Sequence, residues 1–318
     1  SPRHCAQNDP GAGAVPHLTT APAPSLRWKG KSLDNLLFGL LTGSMLAVAT
    51  SGFALLRNTE RFLHIAHGQF MALGALLAVA LGEMLGLVAG IALAVGITSV
   101  LAVISCKLLF DPVKHRGGNV LLFTSVGLAF VTYGTMIAVF GTDLRVFSVE
   151  LGAARHIGPF NVAPGEIVML LVAVVVIGGL WLLLGRTGVG RDIRAVASNR
   201  ELAQIRGVAI GRVSTTVWAI SGGLAAVAGI MTGILGSVST ESGWGYILLV
   251  LAAAVLGGTG NILGVIAAAL VLGIVMDMSA LVIDTAYRPI VAFAILIGVL
   301  LIRPQGLFSF QSRKEAAA

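Results

Sequence analysis

Two imidazoles and an amide stand within six residues of one another in RFLHIAHGQFMALGALLAVALGE, residues 61–83: His64, His67 and Gln69. Histidines three apart could share a metal ion, but a zinc site takes three or four ligands and no third stands beside them. A metal-dependent membrane enzyme is therefore the weaker reading. The stretch is otherwise apolar and long enough to cross a bilayer, where polar groups are costly and usually face a bundle interior or a cavity. Two readings stay open. The three side chains lie at the membrane interface or satisfy freed backbone groups, or they line a path for a polar solute.

The second candidate is glycine-rich. Residues 242–276 carry no charge, and at 1.5 Å per residue they would make roughly 50 Å of helix, too long for one crossing of a ~30 Å core. The run must break, and LGGTGN, Leu256 to Asn261, is where paired glycines let the chain turn. Transporters build solute sites from broken helices in corresponding halves of the chain. On that ground the polar helix start and this break are expected to meet near the midplane, with His64, His67, Gly68, Gln69, Gly257, Gly258 and Gly260 along the path. Long glycine-bearing runs precede both, Leu36 to Leu56 and Val213 to Thr240, which points to a weak internal repeat.

The third candidate is GRTGVGRDIRAVASNRELAQIRGVAIGRV, Gly185 to Val213, with arginines at 186, 191, 194, 200, 206 and 212. Positive loops stay on the cytoplasmic side, so this one orients the chain. Within it Asp192 to Ile205 reads as one amphipathic helix that rests on headgroups or docks on a partner. The glycines of GRTGVGRD have no βαβ pattern around them and are not a dinucleotide loop. Phosphate-loop, serine-elbow, HExxH and CxxC motifs are absent, and no cofactor is expected.

These elements sit in a chain of 318 residues that is 56% hydrophobic and 11% charged, with a mean hydropathy of +0.93. The expected fold is all-α: a polytopic transmembrane helix bundle of eight or nine hydrophobic segments, some short or broken. Abundant glycine, 41 residues, suits helices packed through small side chains. The net charge of +7 belongs to loops facing anionic lipid and not to nucleic-acid binding. Cys5 and Cys106 suggest neither a disulfide framework nor a metal site.

In order, residues 1–32 read as a disordered tail rich in Pro, Ala, Gly and Thr. Spans follow at Leu36 to Leu56, Arg61 to Glu83, Met84 to Cys106, Gly118 to Phe140 and Ile167 to Gly185. After the arginine loop come Val213 to Thr240, a short helix Trp244 to Val255, Ile262 to Asp277, and Pro289 to Ile302. Nine crossings put the N-terminus outside and the C-terminus inside; one re-entrant segment would give eight spans and a cytoplasmic tail. Asp277, Asp284 and Arg288 read as interfacial charges. An ion-coupled secondary transporter would need an intramembrane carboxylate or cation site, and the mid-span segments offer almost none.

Several of these motifs coincide in one family. The chain resembles, over about residues 33–308, the inner-membrane permease subunits of branched-chain amino-acid ABC transporters, the LivH type. FLHIAHGQFMALGA is similar to that family's Asn-Phe-Ala-His-Gly-Glu signature, with His64 and Ile65 for Asn and Phe, and Gln69 for Glu. KLLFDPVK is similar to its Arg-Pro turn with Asp111 for Arg, AAAVLGGTGNILGVIAAALVLGI to its Leu-Gly-Gly-x-Gly segment, and RPQGLF to its ending. ELAQIRG, Glu201 to Gly207, is similar to the Glu-Ala-Ala-x-x-x-Gly coupling motif of ABC importers, with Leu202 for the first Ala. The resemblance implies a permease and no enzyme: a binding protein delivers solute, two homologous permease subunits form the path, and two cytoplasmic ATPases dock through Glu201, Ala203 and Gly207. Residues 309–318 would be a cytoplasmic tail. The solute implied is a branched-chain amino acid, with urea, short amides or another small organic solute as alternatives.

Overall fold

A computed structural model describes residues 24–147, 155–157, 160–258, 261–284, 287–303 and 306–307, with side chains at 34–147 and from 163 on. Among the described residues eleven α-helices follow one another: α1 (Pro24–Glu60), α2 (His67–Leu85), α3 (Leu87–Ser105), α4 (Gly118–Phe140), α5 (Pro164–Arg186), α6 (Gly188–Ser198), α7 (Arg200–Ile205), α8 (Ile210–Leu235), α9 (Ser242–Gly257), α10 (Ile262–Ser279) and α11 (Arg288–Ile302). Seven are long and apolar enough to cross a membrane, and α9 and α11 are shorter apolar helices. Together they are the expected hydrophobic segments. A π turn (Cys106–Phe110) and a 3-10 turn (Asp111–Arg116) extend α3. A two-stranded antiparallel hairpin, β1 (Arg155–Ile157) and β2 (Phe160–Val162), stands between α4 and α5.

Local chemistry sets most boundaries. Gly86, at φ +86, makes the one-residue corner between α2 and α3, a left-handed conformation that side-chain-bearing residues rarely adopt. Thr187 caps α6 by accepting a hydrogen bond from Gly190 N at 3.0 Å, and Asn199 caps α7 by accepting from Leu202 N at 3.0 Å. That second cap overturns the single helix expected from Asp192 to Ile205. Asn199 is extended, φ −148, so the segment breaks into α6 and α7. The backbone is also helical from Pro24, inside the stretch read as a disordered tail; proline is tolerated at a first helical turn, and the residues after it propagate the span backwards.

The helices form an inverted repeat. α1, α2 and α3 correspond to α8, α9 and α10: α1 packs on α10 as α8 packs on α3, and α2 packs on α8 as α9 packs on α1. The two halves run in opposite senses, since Glu60 at the end of α1 meets Ser214 near the start of α8. Small residues permit the close approach. A Cβ on Gly43 would lie 2.9 Å from Leu270 in α10, and one on Gly222 would lie 2.6 Å from Ala102 in α3. At the arginine end of the bundle lie the ends of α1, α5 and α9, the α3 extension, α6 and α7. The opposite end holds the start of α1 and the end of α10, where the carboxylate of Asp277, 1% exposed, pairs with Arg288 at 2.7 Å. Those two charges therefore form an ion pair between a buried carboxylate and a partly exposed arginine at this end.

Candidate functional site

The expected span from Arg61 begins differently. Residues 61–66 are not helical, and α2 starts only at His67, inside the bundle. His67 Nε2 lies 3.0 Å from the carbonyl of Ala49, eleven residues before the end of α1, about 16 Å back along that helix. The chain therefore leaves α1 at the arginine end, re-enters, and starts a new helix at mid-depth. The second half repeats the device in reverse. After α8, Val238 pairs with Arg145 at the far end through reciprocal backbone bonds of 2.8 Å, and α9 then starts at depth.

The starts of α2 and α9 pass each other at Gly68 and Gly243, the second residue of each helix. A Cβ on Gly68 would overlap the carbonyl of Gly243, and one on Gly243 would lie 2.6 Å from Gln69 Oε1. His64, His67 and Gln69 are each 1% exposed. Because a carbonyl only accepts, His67 carries its proton on Nε2 and donates to Ala49, leaving Nδ1 to face the Ser221 hydroxyl at 3.5 Å. This histidine thus bonds a carbonyl within α1 and ties the α2 start to that helix. His64 Nδ1 is 3.0 Å from Ser125 Oγ, which also accepts a hydrogen bond from Ala66 N at 3.1 Å. The outer edge of His64 lies in a cluster with Phe62, Phe110 and Trp218, the last with ring centroids 4.7 Å apart.

Four polar groups here are buried without a partner among the described residues: His64 Nε2, Trp218 Nε1, both amide atoms of Gln69, and the Thr240 hydroxyl. Leaving such a group unpaired costs about 1–3 kcal/mol. Gln69 and Thr240 stand at the α2 and α9 starts, where the N–H groups of His67, Phe70, Ser242 and Trp244 already donate to the carbonyls of His64, Ala66, Ser239 and Glu241.

The two breaks named from the sequence do not meet. Gly257 packs on Val265 at the start of α10, Gly258 (φ +86) packs on Gly306, and Leu307 N donates to Leu256 O at 2.8 Å. This places LGGTGN at the arginine end, fourteen residues or about 21 Å of helix from Gly243. Gly257 and Gly258 turn the chain between α9 and α10; they do not face His64, His67, Gly68 and Gln69. Gly260 lies outside the described residues. The segment that does meet the polar helix is the start of α9, Gly243 and Ile247, hidden in the uncharged run 242–276.

At the arginine end, α7 presents Leu202 and Ile205, 48% and 82% exposed, while Ala203 is buried and Glu201 exposed. Gly207 has φ +83, and Val208 N donates to Ala203 O at 3.0 Å and Gly207 N to Gln204 O at 3.0 Å. This is a glycine helix stop. Beside it is a polar knot that sequence reading missed. Glu60, its side chain 1% exposed, accepts from Ser214 and pairs with Lys114 at 3.4 Å and Arg200 at 3.5 Å; Lys114 also pairs with Asp111 at 2.7 Å. One carboxylate thus joins α1, the α3 extension, α7 and α8. Its only sequence signal is an acid at a span end facing basic residues far along the chain.

A polytopic bundle with two inverted, internally starting helices and a basic helix pair at one end is the build of a membrane transport subunit. Residues 35–300 match the family described as branched-chain amino acid transport system / permease component, and the chain belongs to it. It is 28% identical over 293 residues to the high-affinity branched-chain amino acid transport system permease protein BraD of Pseudomonas aeruginosa, covering 86% of this chain and 95% of that one. The corresponding LivH of Escherichia coli is 25% identical over 291 residues, covering 86% and 94%. The ribose import permease protein RbsC of Bacillus subtilis is 34% identical over 155 residues, 46% of this chain and 47% of that one, which shows the family's breadth. The chain is a multi-pass membrane permease subunit.

Proposed function

We propose that this permease carries a branched-chain amino acid inward as part of an ATP-driven importer. It would work with a homologous second permease subunit, two cytoplasmic ATPase subunits and a solute-binding protein. The transmembrane unit spans about 33–308, with 186–212 as the cytoplasmic coupling loop and 309–318 as a cytoplasmic tail. The observation that carries the solute reading is the crossing of α2 and α9. Two helix starts at mid-depth, with a positive dipole end each, suit the carboxylate of an amino acid, and the unpaired Gln69 Oε1 beside them can accept from its ammonium group. His64, His67 and Gly68 then hold that crossing in register, and the described arrangement is its closed form.

An unpaired buried amide costs stability, so its presence favours a role in transport. Replacing Gln69 by Leu removes the unpaired polar atoms in a side chain of similar size. Gln69→Leu is expected to melt at or above the wild-type temperature in detergent while uptake of labelled leucine falls at least tenfold. Undiminished uptake would remove Gln69 from the path.

The coupling reading rests on the exposed Leu202 and Ile205 beside a left-handed Gly207. A Cβ at Gly207 meets nothing within 4 Å, so Gly207→Val does not disturb the bundle. It does cost roughly 1–2 kcal/mol in a left-handed conformation and reshapes the end of α7. Gly207→Val and Glu201→Lys are expected to reach the membrane normally yet lose both ATPase co-purification and uptake, whereas Arg191→Ala changes either by less than about twofold. Full ATPase retention and full uptake in both variants would return α7 to the lipid surface.

A further inference from the structure

An open cavity of about 900 Å³ lies at the arginine end, between the last turns of α1 and α5, the inner side of α6 and the first turns of α10. Among the described residues three arginines line it, Arg57, Arg61 and Arg194, and no carboxylate does. Glu60, the nearest acid in sequence, is turned away into its knot with Ser214, Lys114 and Arg200. The guanidinium groups of Arg57 and Arg194 make no hydrogen bond or ion pair among the described residues, and that of Arg61 reaches only the Ser198 carbonyl at 3.4 Å. Arg61 is also the one non-glycine described residue with positive φ, +60. A left-handed arginine costs about 1–2 kcal/mol, and such strain clusters at ligand sites.

The rest of the lining is apolar. Trp181 on α5 and Leu263 on α10 are 52% and 57% exposed, so the cavity opens between them onto the bundle's lipid-facing side. Tryptophan at this depth is the usual marker of a membrane interface. A cationic rim at the membrane boundary over an apolar, laterally open floor matches an amphiphile with an anionic head. Guanidinium groups suit phosphate because they donate paired hydrogen bonds to its oxygens, and basic pockets between transmembrane helices on the cytoplasmic side take anionic lipid heads.

We propose that this cavity is a binding site for an anionic phospholipid of the cytoplasmic leaflet. Its phosphate lies among Arg57, Arg61 and Arg194, and an acyl chain leaves past Trp181 and Leu263. The bound lipid bridges α1, α5, α6 and α10, and so ties the start of the basic loop to the bundle. This assignment does not depend on which solute is carried.

The test uses the purified full chain in detergent, titrated with phosphatidylglycerol or phosphatidylcholine of equal chain length, read by native mass spectrometry and thermal melting. Phosphatidylglycerol is expected to bind at least tenfold more tightly and to raise the melting temperature by several degrees. The combined variant Arg57→Gln, Arg61→Gln, Arg194→Gln is expected to lose that preference. Arg194→Gln alone, on an exposed helix face, is expected to weaken binding severalfold with an unchanged melting temperature in the absence of lipid, and it stands in if the triple variant misfolds. Leu263→Ser is expected to weaken long-chain phosphatidylglycerol and leave glycerol 3-phosphate unaffected. Equal affinity for the two lipids, or unaltered binding by Arg194→Gln, would overturn the site. So would displacement of the lipid by millimolar inorganic phosphate, which would mark a simple anion site.

Discussion

Glu60→Ala is expected to lower the melting temperature sharply and release α7 from the bundle. Glu60 is the acid shared by Lys114 and Arg200, and its side chain is 1% exposed. Removing one partner of a buried pair costs about 3–5 kcal/mol because the remaining charge is left uncompensated. Here the effect belongs at the lower end, since Lys114 keeps Asp111 at 2.7 Å and Arg200 is 37% exposed. Glu60→Gln keeps an acceptor for the Ser214 hydroxyl and should recover part of the loss. Melting of both variants in detergent, with ATPase co-purification as a second readout, separates the roles. If α7 merely rests beside the bundle, Glu60→Ala will melt with the wild type.

The second large effect is steric. Gly68→Ala places a methyl group on the carbonyl of Gly243 and within 2.7 Å of Ile247 Cβ. Neither neighbour is a flexible side-chain end, so α2 and α9 must separate, and overpacking of this kind costs about 1–3 kcal/mol or more. Gly243→Ala meets Gly68 O at 2.8 Å from the other side, so the double variant should cost less than the sum of the two singles. Gly245, two residues further along α9, has nothing within 4 Å of its would-be Cβ. Gly245→Ala should therefore gain up to about 1 kcal/mol of helix stability. The yield and melting temperature of folded protein check all four. A Gly68→Ala variant that melts like the wild type would mean that the two helix starts do not touch.

Local signals carried much of the architecture. Gly118 to Phe140 is bounded as read because Gly117 and Gly141 turn the chain at positive φ. The break at LGGTGN is real, and Asn261 caps α10 by accepting from Leu263 N at 3.1 Å. The error lay in what that break faces. His64 to Gln69 were legible as polar residues in apolar surroundings, but their counterpart, the start of α9 at Gly243 and Ile247, is hidden in the uncharged run 242–276. The matching signal, a glycine at the second position of both α2 and α9, is a single residue type in a chain with 41 glycines.

By itself, the sequence determined that the chain spans a membrane as helices, which end is basic, and where the chain must turn. These follow from residue-by-residue physics: the cost of charge in hydrocarbon, the length needed to cross it, and the steric freedom of glycine. Only the tertiary structure decided that Gly68 meets Gly243, that Glu60 gathers Lys114, Arg200 and Ser214, and that Arg57, Arg61 and Arg194 surround one cavity. Each of these includes a meeting of positions more than fifty residues apart, and hydrophobic periodicity is the same whichever helix a given face is packed against.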